Sequence, residues 1–194
     1  MVEFLYALLA SLLWGFAFSG IVNFWYGIFF AASVLVFISF LDGEIFSCFR
    51  LKWSHIILGF VSGVLLYGLF YISSILISRY FPSLYEQIQM VESLRNLAPE
   101  YVYVPVTLSV SFAEEVFWRG FVLRRLWNRW GWMGFVLAVL YYCAAHITTG
   151  NISLLLAAVG AGFFWGLLLV WRRNLLVPII AHITWDAFLL LFGL

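Results

Sequence analysis

The chain is 194 residues long, with 65% hydrophobic and only 10% charged residues and a mean hydropathy of +1.06. Soluble domains carry about a quarter charged residues, so this composition excludes a soluble enzyme or binding module and points to a polytopic membrane protein. The net charge of +1 says nothing about nucleic acid, and no basic run or tail points to it, so no nucleic-acid partner is expected. At ~20 apolar residues per crossing, the length accommodates roughly six to eight helices in one domain covering 1–194.

The first apolar run, 4–19, has no Lys or Arg before it and leads directly into a second run. It therefore reads as a spanning helix and not as a cleaved signal. Further runs follow at 22–41, 55–78, 101–123, 132–148, 152–171 and 175–193, the first two parted only by Ser19 and Gly20. The predicted fold is an all-α bundle of about seven transmembrane helices around an intramembrane polar cavity. Three N-terminal helices and an extracytoplasmic loop occupy 1–100, and a four-helix catalytic core occupies 101–194.

Arg50 and Lys52, then Arg124, Arg125 and Arg129, then Arg172 and Arg173 fall in connections that alternate onto one side. The positive-inside rule makes that side cytoplasmic, with the N-terminus inside and the C-terminus outside. The longest loop places Leu84, Ile88, Val91 and Leu94 at helical intervals, which predicts a short amphipathic helix over 83–97 at the membrane surface. Trp14, Trp25, Trp53, Trp127, Trp130, Trp132 and Trp171 sit near segment ends, where interfacial anchors belong, and His55 reads as interfacial too. Gly162 and Gly166, with Ala157 and Ala161, give the sixth run a small-residue packing face. Cys48 and Cys143 share no metal or disulfide spacing and read as packing residues.

Polar residues inside apolar runs carry the functional signal. Glu114, Glu115 and Arg119 stand in the run SFAEEVFWRGF at 111–121. A charge at membrane depth costs at least ~2.5–3.5 kcal/mol and needs a partner or a wet cavity. Tyr142 and His146, and likewise His182 and Asp186, are four residues apart, so each pair shares a helix face. At ~1.5 Å of rise per residue, Glu114, His146, His182 and Asp186 fall in a common layer of the membrane. Adjacent glutamates diverge by about 100° on a helix, so Arg119 is expected to pair with Glu115 and leave Glu114 facing the cavity. Glu114 with His146 then makes a general-base pair.

The motifs EEVFWR, YCAAH and HITWD, in that order, resemble those of the CAAX-processing and bacteriocin-processing (CPBP, or Abi) intramembrane proteases, of the Rce1-like glutamic type. The resemblance covers roughly 101–190. It implies an endopeptidase acting at or within the membrane, with the family's catalytic glutamate falling on Glu114, its paired glutamate on Glu115 and its histidines on His146 and His182. Two departures stand out. The second motif commonly begins with Phe and here has Tyr142, and the last position is often Asn in the prenyl-protein branch and here is Asp186.

An ionised Asp cannot donate to an oxyanion, so Asp186 is either protonated, or orients His182, or helps hold a metal. Two mechanisms result. In the first, metal-free and preferred, Glu114 and His146 activate a water and His182, steered by Asp186, stabilises the oxyanion, while Arg119 and Glu115 set the frame. In the second, Glu114, His146 and His182 ligate zinc. The partners expected are a protein or peptide substrate, membrane-associated or C-terminally anchored, and the bilayer of a prokaryotic cytoplasmic membrane. The rival class is a non-catalytic membrane protein, an immunity factor or transporter, that uses the same buried charges to hold helices together or to line a proton path.

Overall fold

A computed structural model describes residues 2–194, and among them there is no β-strand. The helices are α1 (Val2–Phe18), α2 (Phe24–Phe40), α3 (Trp53–Tyr80), α4 (Pro82–Ser93), α5 (Glu100–Glu114), α6 (Arg124–Trp130), α7 (Trp132–Ile147), α8 (Ile152–Arg172) and α9 (Leu176–Phe192). Between α5 and α6 the chain stays helical but winds as a π-helix over Glu115–Leu123. Local chemistry marks several starts. Asn23 accepts from the Trp25 amide at the head of α2, Asn151 accepts from the Leu154 amide at the head of α8, and Pro82 opens α4.

The outside of the bundle is apolar. Leu12 on α1, Phe37 on α2 and Leu65 and Leu69 on α3 each expose 60% or more of their surface. Water would not tolerate so much unpartnered apolar area on several helices, whereas lipid tails match it. The protein is an all-helical membrane protein. By length and composition only α3 and α8 are sufficient on their own to cross a bilayer, while α1, α2, α7 and α9 are apolar but have 16 or 17 residues. At ~1.5 Å per residue these reach about 25 Å, short of a ~30 Å hydrocarbon core. The fourth predicted run, 101–123, is α5 with the π-helix and carries Glu114, Glu115 and Arg119; the helix continues as α6 through residues that the sequence reads as a connection.

Helix α3 packs along α9, α7 against α8, and α1 against both α2 and α7, while α5 lies between α2 and α9. The α3–α9 seam depends on small residues: a Cβ added to Gly63 would stand 2.5 Å from the Ala181 carbonyl oxygen and 2.7 Å from Thr184 Cβ. The three basic connections meet at one end of the bundle. There Arg124 pairs with Asp42 and with Glu44 (2.6 Å), and Asn174 donates to the Arg50 carbonyl at 2.7 Å.

Three expectations change. The amphipathic stretch is helical as α4, but it is not a lone surface helix. Gln87 Oε1 accepts from the Ile152 and Ser153 amides at 2.6 and 3.2 Å, which pins α4 across the head of α8. Trp14 and Trp25 are 2% and 7% exposed and so are core residues, not interfacial anchors, whereas Trp53, Trp132 and Trp171 stay outward. Trp25 packs on Tyr103 of α5 and donates to the Leu94 carbonyl at 2.9 Å, and Trp14 packs beside His146 of α7. His55 is likewise buried, its Nδ1 3.1 Å from the Arg50 carbonyl oxygen, because residues 50–55 fold against Asn174.

Candidate active site

The site begins where α5 gives way to the π-helix. Glu114 is the last α-helical residue and Glu115 the first of the wider turn, whose hydrogen bonds run from residue i+5 back to i, as from the Arg124 amide to the Arg119 carbonyl. Such turns are rare, and they cost hydrogen-bond geometry in order to aim side chains that a regular helix would aim elsewhere. All nine residues of this stretch are buried.

Glu115 is completely buried. Its Oε1 lies 3.1 Å from Arg119 Nη1 and 2.9 Å from His182 Nδ1 on α9, and its Oε2 has no hydrogen-bond partner among the described residues. The Arg119 contact is an ion pair without hydrogen-bond alignment at Nη1, while Nη2 donates to the Gly162 carbonyl at 3.3 Å. The guanidinium also lies over the Tyr142 ring at 4.5 Å and the Trp165 ring at 5.3 Å. With 2% exposure Arg119 does not snorkel to an interface, and its charge is held by a carboxylate, a carbonyl and two aromatic faces. Gly162 makes this possible, since a Cβ there would approach Tyr142 Cδ1 to 2.8 Å.

Glu114 takes a different partner. The Tyr142 hydroxyl donates to its Oε2 at 2.8 Å. One turn further along α7, His146 donates from Nδ1 to the Tyr142 carbonyl oxygen at 2.9 Å. A carbonyl can only accept, so this bond leaves Nε2 of a neutral His146 as an acceptor. On α9, His182 Nε2 lies 3.5 Å from Asp186 Oδ2, and the same oxygen accepts a short hydrogen bond from Ser111. Trp165 stacks on His182 with centroids 3.6 Å apart and planes 21° from parallel.

Glu114, Tyr142, His146, His182 and Asp186 line one cavity of about 210 Å³, whose walls also include Trp14, Trp25, Ala161 and Trp165. Glu115 and Arg119 lie behind it, Glu115 against His182 and Arg119 against Tyr142 and Trp165. A second, more apolar cavity of about 190 Å³ adjoins it, sharing Thr107, Trp185 and Asp186, and reaches to Glu92 and Arg95 below α4. All seven sequence-predicted residues therefore stand in one connected cluster drawn from α5, the π-helix, α7 and α9.

His182 presents both ring nitrogens to carboxylates, Glu114 Oε2 is engaged by Tyr142, and among the described residues no three His, Cys, Asp or Glu side chains are grouped to hold a metal ion.

The Type II CAAX prenyl endopeptidase Rce1-like family matches residues 97–188. Over just under half of the chain, this segment is similar to the Rce1-like family. The Rce1-like segment runs from just before α5 to the last turns of α9 and contains every residue of the cluster, while α1–α4 lie outside it. The match likens this segment to membrane-integral proteases of the CAAX-processing kind. No curated protein and no solved structure matches the chain.

Sequence reasoning missed Ser111, Trp165 and Trp185 and took Gly162 as packing alone. Ser111 and Trp185 lie inside the quoted motif runs, but a Ser or Trp in an apolar helix carries no signal until the neighbouring helix is in place. Trp165 had no local mark at all.

Proposed function

We propose that this protein is an intramembrane endopeptidase of the glutamic type, hydrolysing a peptide bond in a membrane-associated or C-terminally anchored substrate with water activated by Glu114 and His146. The observation that carries this reading is the cavity shared by Glu114, His146 and His182. It unites a carboxylate, an acceptor imidazole and an imidazole backed by carboxylates, all from separate helices.

Tyr142 holds one oxygen of Glu114, which leaves the other to accept a proton from a water, while His146 Nε2 accepts that water's second hydrogen. Both hydrogens are then directed at protein acceptors, and a lone pair of the water is directed at the substrate carbonyl carbon. Attack forms the carbon–oxygen bond and passes one proton to Glu114. Collapse of the tetrahedral intermediate breaks the carbon–nitrogen bond, and Glu114 returns that proton to the leaving amine. With Nδ1–H given to Glu115, His182 stabilises the developing oxyanion as an imidazolium, whose second N–H lies on Nε2 beside Asp186. Arg119 fixes Glu115, and Asp186, secured by Ser111, sets the other edge of the His182 ring.

The membrane reading attached to this function is seven crossings, the α5–π–α6 rod counting as one, with the basic end of the bundle cytoplasmic and the cavity under α4 toward the opposite face. The shorter helices satisfy this if the bilayer thins around the catalytic core. The substrate class in this reading is a membrane-associated or C-terminally anchored protein or peptide, in a prokaryotic cytoplasmic membrane.

The test is a comparison of membrane proteomes from cells carrying the active chain and the Glu114→Gln chain. Cleavage products that vanish with a folded Glu114→Gln protein support the enzyme. Identical product sets in both membranes would return the cluster to a scaffolding role, as in an immunity factor or transporter.

A further inference from the structure

The basic end of the bundle carries more positive charge than its own carboxylates take up. Asp42 and Glu44 both pair with Arg124, Asp42 also accepts from Arg125 at 3.1 Å, and Glu3 lies within electrostatic range of Arg125. Arg50, Lys52, Arg172 and Arg173 form no ion pair among the described residues. None of these four lines either cavity, so this charge lies outside the catalytic site.

The backbone holds these cations on one corner. Asn174 donates from Nδ2 to the Arg50 carbonyl at 2.7 Å, and the Leu175 amide donates to the Cys48 carbonyl at 2.9 Å. The segment leading into α3 is thereby laid along the turn between α8 and α9, which brings Arg50 and Lys52 to the turn that carries Arg173. Arg173 has a φ of 49° and is the one non-glycine residue with positive φ among the described residues. Glycine is the usual occupant of this left-handed position after a helix, and a side chain there strains the backbone. What arginine supplies and glycine lacks is a charge.

The surroundings of the corner are those of a bilayer interface. Trp171 and Trp53 are both exposed there, as aromatic residues at headgroup level are. From Trp53 an exposed apolar stripe runs down α3 through Ile57, Val61 and Leu65, each four residues from the last and so on one face. At ~1.5 Å per residue it is about 18 Å long, comparable with the ~15 Å of hydrocarbon in one leaflet. We propose that this corner binds an anionic phospholipid, its phosphate held by Arg50, Lys52 and Arg173 and its acyl chains lying along the Trp53–Leu65 stripe. A soluble anion would satisfy the cations and leave the stripe unused. Only a lipid answers both.

The test is native mass spectrometry of the intact chain released from nanodiscs of equal parts phosphatidylcholine and phosphatidylglycerol. The expected result is preferential retention of phosphatidylglycerol, weakened about 5-fold for each of the three charges removed as Arg50→Ala, Lys52→Ala and Arg173→Gly. Arg173→Gly relieves the left-handed backbone, so its thermal midpoint should equal or exceed that of wild type while lipid retention falls, and Arg173→Lys should restore retention. Arg79→Ala, at the far end of α3, removes a charge and should change nothing. Inorganic phosphate, matched in ionic strength with chloride, should not displace the lipid. The proposal is overturned if both lipids are retained equally, if the triple variant retains phosphatidylglycerol like wild type, if Arg79→Ala weakens retention as much as Arg173→Gly, or if phosphate displaces the lipid. No bond is cleaved in this measurement, so its outcome is independent of the protease reading.

Discussion

Tyr142→Phe isolates one oxygen atom. The hydroxyl donates to Glu114 Oε2 at 2.8 Å in a position where Tyr142 is 4% exposed and Glu114 6% exposed. Phenylalanine preserves the ring, and with it the contacts to Trp118 (centroids 5.5 Å), to His146 (4.5 Å) and to the Arg119 guanidinium (4.5 Å). What disappears is a buried hydrogen bond to a carboxylate, a class contributing ~1.5–3 kcal/mol. At ~1.4 kcal/mol per tenfold, its loss from the transition state lowers kcat about 10- to 150-fold. Substrate binding does not use this bond, so KM should stay within about twofold. The assay is cleavage of the peptide that the proteome comparison identifies, by purified protein in liposomes. An unchanged kcat in folded Tyr142→Phe protein would mean that Glu114 needs no tether. That would refute the argument that a fixed carboxylate presents its second oxygen to water.

Arg119→Met removes the charge that faces fully buried Glu115, and breaking a buried pair in this way costs ~3–5 kcal/mol, so this variant should be recovered poorly or unfold early in a thermal-shift assay. Arg119→Lys should rescue the charge but not the Gly162 carbonyl bond or the two ring contacts, and should rank between wild type and Arg119→Met; equal stability of all three would show that the ion pair is idle. Gly63→Ala places a methyl group against the Ala181 backbone oxygen, which cannot rotate away, so α3 and α9 must separate. Overpacking of this kind costs ~1–3 kcal/mol, read as lower thermal stability, and a neutral result would mean that the seam is looser than described. Dialysis against phenanthroline should leave the cleavage rate within about twofold, while a loss restored by added zinc would bring back the metal mechanism.

Much of this molecule follows from one-dimensional chemistry. Apolar content and run length set the membrane class, and caps such as Asn23 and Asn151 set helix starts. The four-residue spacing alone places Tyr142 beside His146 and His182 beside Asp186, because a helix turn is a local property of the backbone. The motif order also pointed to the family over roughly 101–190, close to the matched 97–188.

Other features have no local cause. The Glu115–His182 contact joins residues 67 positions apart and the Ser111–Asp186 bond joins residues 75 apart, so they depend on the π-helix and α5 both lying beside α9. The π-helix at Glu115–Leu123 is equally non-local. Its poorer hydrogen bonds are offset by contacts of Glu115 with α9 and of Arg119 with α7 and α8, none of which a hydropathy pattern records. Trp14 and Trp25 went inward for the same reason: helix ends look interfacial in sequence, but another element can be laid over them. Composition and spacing determined which residues were too polar for lipid. Helix packing alone decided which of them meet, because a contact between distant residues is a property of the whole bundle and of no segment within it.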